Sequence, residues 1–327
     1  VAYRIVSEPP VSTVNPSRDP RWIRAETLHG DASTRRYTRL WDNHGQTVIW
    51  VRYPPVEARR MLLDLEVTGW LRERGVPVPE VLEVGSDWAL LEDLGREDAG
   101  QRLARTDIAD RARLARGLVA PLVTLSAVAP DDLPRWHPPL DAARLRWELA
   151  GFELWYVRHR LAAAPSTELG RWLDDLAESV GDHPRRVCHR DYHLNNLFFD
   201  VRKRPRVIDA QDARIGPDTY DLVSLLEERA APRLLGRNAR HGIAEHWATR
   251  TDTADGWRER YRMVRWQRAL KVLGTFARLV ASGRPGYATW LESLRRELLA
   301  ADEDDRLPPF VEALLVDSVV DGGRNAR

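Results

Sequence analysis

Apolar and polar positions alternate with a period of two in the early part of the chain. In "RYTRLWD", Tyr37, Arg39 and Trp41 fall on one face and Arg36, Thr38 and Leu40 on the other, the pattern of a half-buried strand. The turn sequence "DNHG" and the run "QTVIWVRYPP", closed by two prolines, complete a predicted hairpin. Over residues 56–74 the spacing changes. Met61, Leu62, Leu65 and Leu71 recur at helical intervals, and Gly75 marks the stop. "VPVPEVLEVGSDWALLEDLG" then returns to two strands around Gly85, Ser86 and Asp87. Residues 1–95 therefore predict a small α+β lobe, with an antiparallel sheet and one main helix.

Beyond "EDLG" the helical period dominates. "DIADRARLARGLVAPLVTLSAV", "LDAARLRWELAGFELWYVRHRL", "STELGRWLDDLAESV", "PDTYDLVSLL", "WRERYRMVRWQRALKVLGTFARLV" and "YATWLESLRRELLA" all read as helices. Short β pieces interrupt them at Val187, "NLFFDV" and "RPRVIDA". Residues 96–327 thus predict a larger, mostly helical lobe. A length of 327 residues suits two lobes better than one core.

The interruption carries the chemistry. "VCHRDYHLNNLFFD" holds two His, two Asp, two Asn and an Arg between apolar flanks, more polarity than a core buries without partners. Asp191 is followed by Asn196, and the strand "RVID" delivers Asp209 after a turn near Arg204 and Pro205. A hairpin of that kind can bring the three to one end. Asn196 and Asp209 are oxygen donors of the type Mg²⁺ takes beside phosphates and water, which leaves Asp191 to accept a proton from an attacking hydroxyl. The competing reading is a charged turn between two short strands.

Composition narrows the partners. Lys and Arg total 50 against 49 Asp and Glu, so the net charge of +1 gives no general basic excess for nucleic acid. Lys203 and Lys271 are the only lysines, so no lysine chemistry is available in the first 200 residues. Cys188 is the single cysteine, which excludes an internal disulfide or a Cys-built zinc site. No apolar run resembles a signal peptide or a membrane span, and a cytoplasmic monomer is the expectation.

"HRDYHLNN" with the later Asp209 matches the catalytic-loop pattern of protein kinases. The chain resembles the aminoglycoside phosphotransferase and choline kinase superfamily, which has a protein-kinase-like two-lobed fold. Within it, "GDASTRRY", "VIDAQDARIGPDTYDL" and "WQRALKVLGTFARL" are most similar to the bacterial N-acetylmuramate/N-acetylglucosamine anomeric kinases of cell-wall recycling. The resemblance implies ATP and Mg²⁺ as cofactors and a small-molecule sugar as acceptor. It implies Asp191 as catalytic base, and Asn196 and Asp209 as metal ligands.

For the nucleotide, Gly30, Ala32 and Ser33 are small enough for a loop over the phosphates. Arg52, at the end of "TVIWVR", stands as the substitute for the usual strand lysine, with Glu66 as its helix partner. Exposed charges are the bland alternative for both. Backbone groups near Glu92 and Leu94 would hold adenine. For the acceptor, Trp155, Tyr156, His193, Gln211 and Asp212 are the candidates; burial in packing is the commoner use of such aromatics. Asp221, His189 and Arg190 read as braces for the loop. From Asp209 to Pro217, taken as the next helix start, the segment is too short to dock a protein substrate. Kinases of an aminoglycoside or amino alcohol, a pseudokinase and a nucleic-acid binder remain as alternatives.

Overall fold

The computed structural model describes residues 15–28, 34–134, 136–251, 253, 255–301 and 305–316. The first lobe is built on an antiparallel sheet of five strands: β1 (Arg24–Leu28), β2 (Arg36–Trp41), β3 (Thr47–Arg52), β4 (Val81–Val84) and β5 (Trp88–Glu92), ordered β1-β2-β3-β5-β4. Alternation divides its apolar side chains between two faces. Leu40, Trp50, Trp88 and Leu90 cluster on one. Val51, Tyr53 and Ala89 cluster on the other with Met61 of helix α1 (Ala58–Glu73).

After β5 the chain enters helix α2 (Ala99–Arg105). Asp98 caps it, accepting from Gln101 N at 2.8 Å while Gln101 Oε1 accepts from Asp98 N at 3.2 Å. The run predicted as one helix over residues 107–128 is two, α3 (Ile108–Gly117) and α4 (Ala120–Ser126). Pro121 lies in the first turn of α4, where its missing N–H costs nothing, whereas in a continuous helix it would remove a hydrogen bond. Helix α5 (Ala142–Gly151) continues into a π-helical stretch, Phe152–Arg160, and α6 (Thr167–Gly181) follows.

Two small ribbons interrupt the helices: β6 (Arg185–Cys188) pairs with β9 (Arg214–Pro217), and β7 (Leu197–Phe199) with β8 (Pro205–Val207). Pro217 therefore ends a strand rather than opening a helix, and α7 spans Tyr220–Glu227. The lobe closes with α8 (Ala231–Arg250), kinked at Gly236, then α9 (Trp257–Ala281), α10 (Tyr287–Leu299) and α11 (Pro309–Val316). No helix among the described residues is long and apolar enough to cross a membrane.

Helix α9 is the axis of this lobe. Its Val264, Leu270, Leu273 and Ala277 are buried against α5, the π-helical stretch, α6 and α10. Contact with the π-helical stretch is close enough to need a glycine. A Cβ at Gly274 would stand 2.5 Å from the carbonyl carbon of Gly151 and from the amide nitrogen of Phe152. That approach fixes where α9 presents Arg268 and Lys271.

Candidate active site

The loop after β6 is held from beneath by one carboxylate. Asp221 Oδ2 accepts from His189 N at 2.6 Å, and Oδ1 accepts from Arg190 N at 2.9 Å. Asp221 is buried on α7, and burial raises its pKa. The His189 ring completes the brace: Nε2 lies 3.0 Å from Ile208 O, and Nδ1 accepts from Asp191 N at 3.3 Å, which assigns the proton to Nε2. Tyr192 is fully buried and donates to Leu118 O at 2.8 Å. These bonds account for much of the polar crowding in the sequence and fix the backbone on either side of Asp191.

Asn196 Nδ2 donates to Asp191 O at 2.9 Å, and Ile208 N donates to Asn196 O at 2.9 Å. The residue after Ile208 is Asp209, in the left-handed region at φ 65°, uncommon for a non-glycine residue. The loops carrying Asp191 and Asn196 are thus bonded directly to the one carrying Asp209. Asp209 Oδ1 accepts from Gln211 Nε2 at 2.9 Å and from Arg35 Nη2 at 3.1 Å.

Buried charges surround Asp191. Glu148 of α5 accepts from Arg190 Nη2 at 2.9 Å and from Gln267 Nε2 at 3.2 Å, with Lys271 Nζ 3.9 Å away. Burial by itself would raise the Asp191 pKa. The charges of Lys271, Arg268 and Arg190 outweigh it and hold the carboxyl down to about 2. A cavity of about 210 Å³ opens beside this carboxylate, walled by α9 and α10 and including His193, Glu228, Arg229, Phe276, Trp290 and Leu294. His193 is buried with its Nδ1 unpartnered, and burial lowers its pKa.

In the smaller lobe, the cation that reaches the loops of the larger lobe is Arg35. It lies 3.4 Å from Asp64 and 3.1 Å from Asp209, and Tyr53 donates to Asp64 Oδ2 at 3.1 Å. The structure does not bring Arg52 and Glu66 together. Arg52 shares the sheet face of Trp50, with its guanidinium 5.4 Å from that ring, whereas α1 packs on the opposite face. Glu66 is exposed, and Asp64 is the buried acid of α1. Strand alternation decides the matter, since a residue one position along points to the other side of the sheet.

Other expectations are also placed. Gly30, Ala32 and Ser33 lie outside the described residues. The Glu92 carboxylate pairs with Arg206 at 2.7 and 2.6 Å, and its N–H donates to Glu80 O, so this residue ties β5 to β8. Leu94 is half-buried in the connection that follows. Tyr156 does not line the cavity expected to take the acceptor: it is fully buried and stacked on Phe152 at 5.1 Å, because residues four apart share one helical face. Trp155 is half-buried against the same core. Asp212 Oδ1 lies 3.7 Å from Arg214 Nη2. Arg35, Asp64, Glu148, Arg229 and the α9 face were not singled out from sequence. Lys271 carried a signal, as one of two lysines among 50 basic residues.

The oxygen donors at the joined loops suit a hard cation. Asn196 uses its Nδ2 on Asp191 O, which leaves Oδ1 without a hydrogen bond among the described residues, and Asp209 adds a carboxylate. One carboxylate and one amide are donors that could hold Mg²⁺ together with phosphates and water.

A model of the phosphotransferase enzyme family matches residues 24–263. The chain is 32% identical over 270 residues to the N-acetylmuramate/N-acetylglucosamine kinase of Pseudomonas aeruginosa, covering 79% of this chain and 77% of the relative. It is 29% identical to the kinase of the same name from Caulobacter vibrioides, covering 83% and 86%. Among solved structures it is similar to an aminoglycoside-3'-phosphotransferase of type VIII, with TM-score 0.55, 20% identity and coverage of 78% and 96%. It is also similar to the ethanolamine kinase of Plasmodium vivax, with TM-score 0.57, 10% identity and coverage of 83% and 82%. The fold is the protein-kinase-like, two-lobed one expected from the sequence.

Proposed function

The chain belongs to the phosphotransferase enzyme family, and from that premise we propose that it is an amino-sugar 1-kinase. The reaction moves the γ-phosphoryl group of ATP to the anomeric hydroxyl of N-acetylglucosamine or N-acetylmuramic acid, giving the sugar 1-phosphate and ADP. The relatives' names support the acceptor class, and cytoplasmic cell-wall recycling is the setting that suits it. The observation that carries the reading is Asp191, a carboxylate at the edge of a small-molecule cavity on loops bonded to those of Asn196 and Asp209.

Asp191 accepts a hydrogen bond from the acceptor hydroxyl and orients its oxygen for in-line attack. Held near pKa 2 by the surrounding cations, it is a weak base. Its contribution is therefore orientation first, with proton transfer late, as the O–P bond forms and the hydroxyl becomes acidic. Asn196 and Asp209 would hold Mg²⁺, which when bound neutralises phosphate charge and fixes the γ-phosphoryl group. Arg35, bidentate and always charged, neutralises phosphate oxygens from the other lobe. The cavity's charged residues are Arg229, Arg265, Arg268 and Lys271 against Asp191, Glu227, Glu228 and Glu297. A polycationic acceptor would meet no acidic excess there.

The test is turnover of Asp191→Asn against both sugars, with the product's phosphorylated carbon assigned by NMR. Loss of at least about 1,000-fold in kcat with nucleotide affinity retained is expected for an orienting base. Turnover near that of the parent enzyme, or phosphate on a carbon other than the anomeric one, would reject the assignment.

A further inference from the structure

Four cations line the cavity beside Asp191, and three are matched by carboxylates. Arg265 Nε lies 3.3 Å from Glu227 Oε2, Arg268 Nη2 2.5 Å from Glu228 Oε1, and Lys271 Nζ 3.9 Å from Glu148 Oε1. The fourth, Arg229, makes no ion pair or side-chain hydrogen bond among the described residues, although it is half-buried. Its guanidinium donors are therefore available to an anion that enters the cavity.

Its backbone is strained. Arg229 stands at φ 56°, in the left-handed region, which costs a residue with a Cβ about 1–2 kcal/mol. The strained residue lies in the link from α7 to α8. Glu228 turns inward from the same link to pair with Arg268, which leaves Arg229 on the cavity wall. Its charge is felt at His193, next but one to Asp191. Phe276, Trp290 and Leu294 supply an apolar part of the wall, suited to a pyranose face or an acetyl methyl.

We propose that Arg229 recognises a carboxylate carried by the acceptor, and so sets the preference of the cavity for an acidic amino sugar over its neutral counterpart. The inference rests on the amino-sugar reading above. N-acetylmuramic acid is N-acetylglucosamine with a lactyl ether on O3. The two share the reacting hydroxyl and differ by that one carboxylate, which a guanidinium grips with two parallel hydrogen bonds.

The experiment compares kcat/KM of the parent enzyme, Arg229→Ala and Arg229→Lys on N-acetylmuramic acid, its methyl ester and N-acetylglucosamine. The ratio of acid to neutral sugar should fall about 100-fold in Arg229→Ala, mostly through KM, as when one partner of a buried charge pair is removed. Arg229→Lys should recover part of that ratio. On the ester, the parent enzyme should lose what the alanine variant loses on the acid. An unchanged ratio overturns the proposal. So does an equal loss on both sugars, which would place the guanidinium on the transferred phosphoryl group. Parent enzyme inactive on both sugars overturns the amino-sugar reading and this proposal with it, a result visible before any variant is made.

Discussion

Arg35, on the approach to β2, reaches Asp209, in the turn after β8, with Nη2 3.1 Å from Oδ1. The same guanidinium lies 3.4 Å from Asp64 of α1, so one side chain joins the sheet lobe, its helix and the loop that carries Asp209. Protein kinases make the corresponding link with a lysine on the third strand and a glutamate on the next helix. Here the third strand offers Tyr53 just past its end, bonded to Asp64, and the cation comes from the neighbouring strand's approach.

If Arg35 meets phosphate as proposed, Arg35→Ala should raise KM for ATP by at least about 10-fold at saturating sugar, since it removes that guanidinium and leaves Asp64 buried without its cation. Arg35→Lys should recover only part of that loss, because an ammonium reproduces the charge but not the fork. Arg52→Ala, on the opposite sheet face, should leave KM for ATP within about twofold. Steady-state kinetics decides. A larger effect at Arg52 than at Arg35 would return the phosphate role to the end of β3.

What was legible in the sequence, and what was not, follows from how each part is encoded. Asp191, Asn196 and Asp209 lie close along the chain around a hairpin, so their spacing, read with the kinase-like signature, was enough to group them, and their loops are hydrogen-bonded to one another. Position at the end of β3 favoured Arg52, but strand alternation turns it to the face away from α1, and the meeting of Arg35 with Asp64 and Asp209 depends on packing between a loop, a helix and a turn that no local pattern encodes. Tyr156 was misplaced because adjacent aromatics on a helix point in different directions, and Phe152 marks the buried one. The cavity walls come from α9, α10 and the link after α7, far from Asp191 in sequence, and no local pattern encodes such a meeting.

Lys271 is expected to act through Asp191. Among its neighbours, burial raises the Asp191 pKa while Lys271, Arg268 and Arg190 lower it. Lys271→Met removes the first of those cations, so the folded-state pKa of Asp191 must rise. The acid limb of the kcat/KM profile should then move to higher pH. Any loss at pH 7 beyond what the shifted limb accounts for measures misplacement of the acceptor. Lys271→Arg should bring the limb back. A limb unmoved by Lys271→Met would show that its charge does not reach the base.

Asp64 supplies a stability signature. Burial pushes its pKa up to about 6 from an ordinary value of 3.8. The folded chain then holds the proton more tightly than the unfolded chain. The stabilising contribution is complete below about 4 and is lost as pH rises to about 6. Asp64→Asn removes that dependence while keeping an acceptor for Tyr53. Relative to the parent, the variant should gain about 1–3 kcal/mol between pH 4 and pH 7 in denaturant titrations. Its KM for ATP should rise at the same time, as Arg35 loses an anchoring carboxylate. Parallel stability curves for the two proteins across this range would refute the assignment.

The contact between Gly151 and Gly274 gives a prediction with its own internal control. A methyl group at 274 would meet only backbone: the Gly151 carbonyl carbon and Phe152 nitrogen at 2.5 Å, and Gly151 O at 2.7 Å. None of these can rotate away, so α9 must shift from the π-helical stretch, at a cost of about 1–3 kcal/mol. Domains of this size lose about 2–4 °C per kcal/mol, which sets the fall in Tm expected for Gly274→Ala. Because α9 also carries Arg268 and Lys271, kcat should drop more than KM for ATP rises, since α9 bears none of the residues assigned to the nucleotide or its metal. At Gly151 the outcome is the reverse, although it is the other half of the same contact. A Cβ there meets no atom within 4 Å, and alanine in a helix is favoured over glycine, so Gly151→Ala should leave Tm unchanged or raise it slightly. Calorimetry on the two single variants separates backbone apposition from a general intolerance of substitution in this region. Equal destabilisation at both positions would mean that the close approach is not what holds α9 in place.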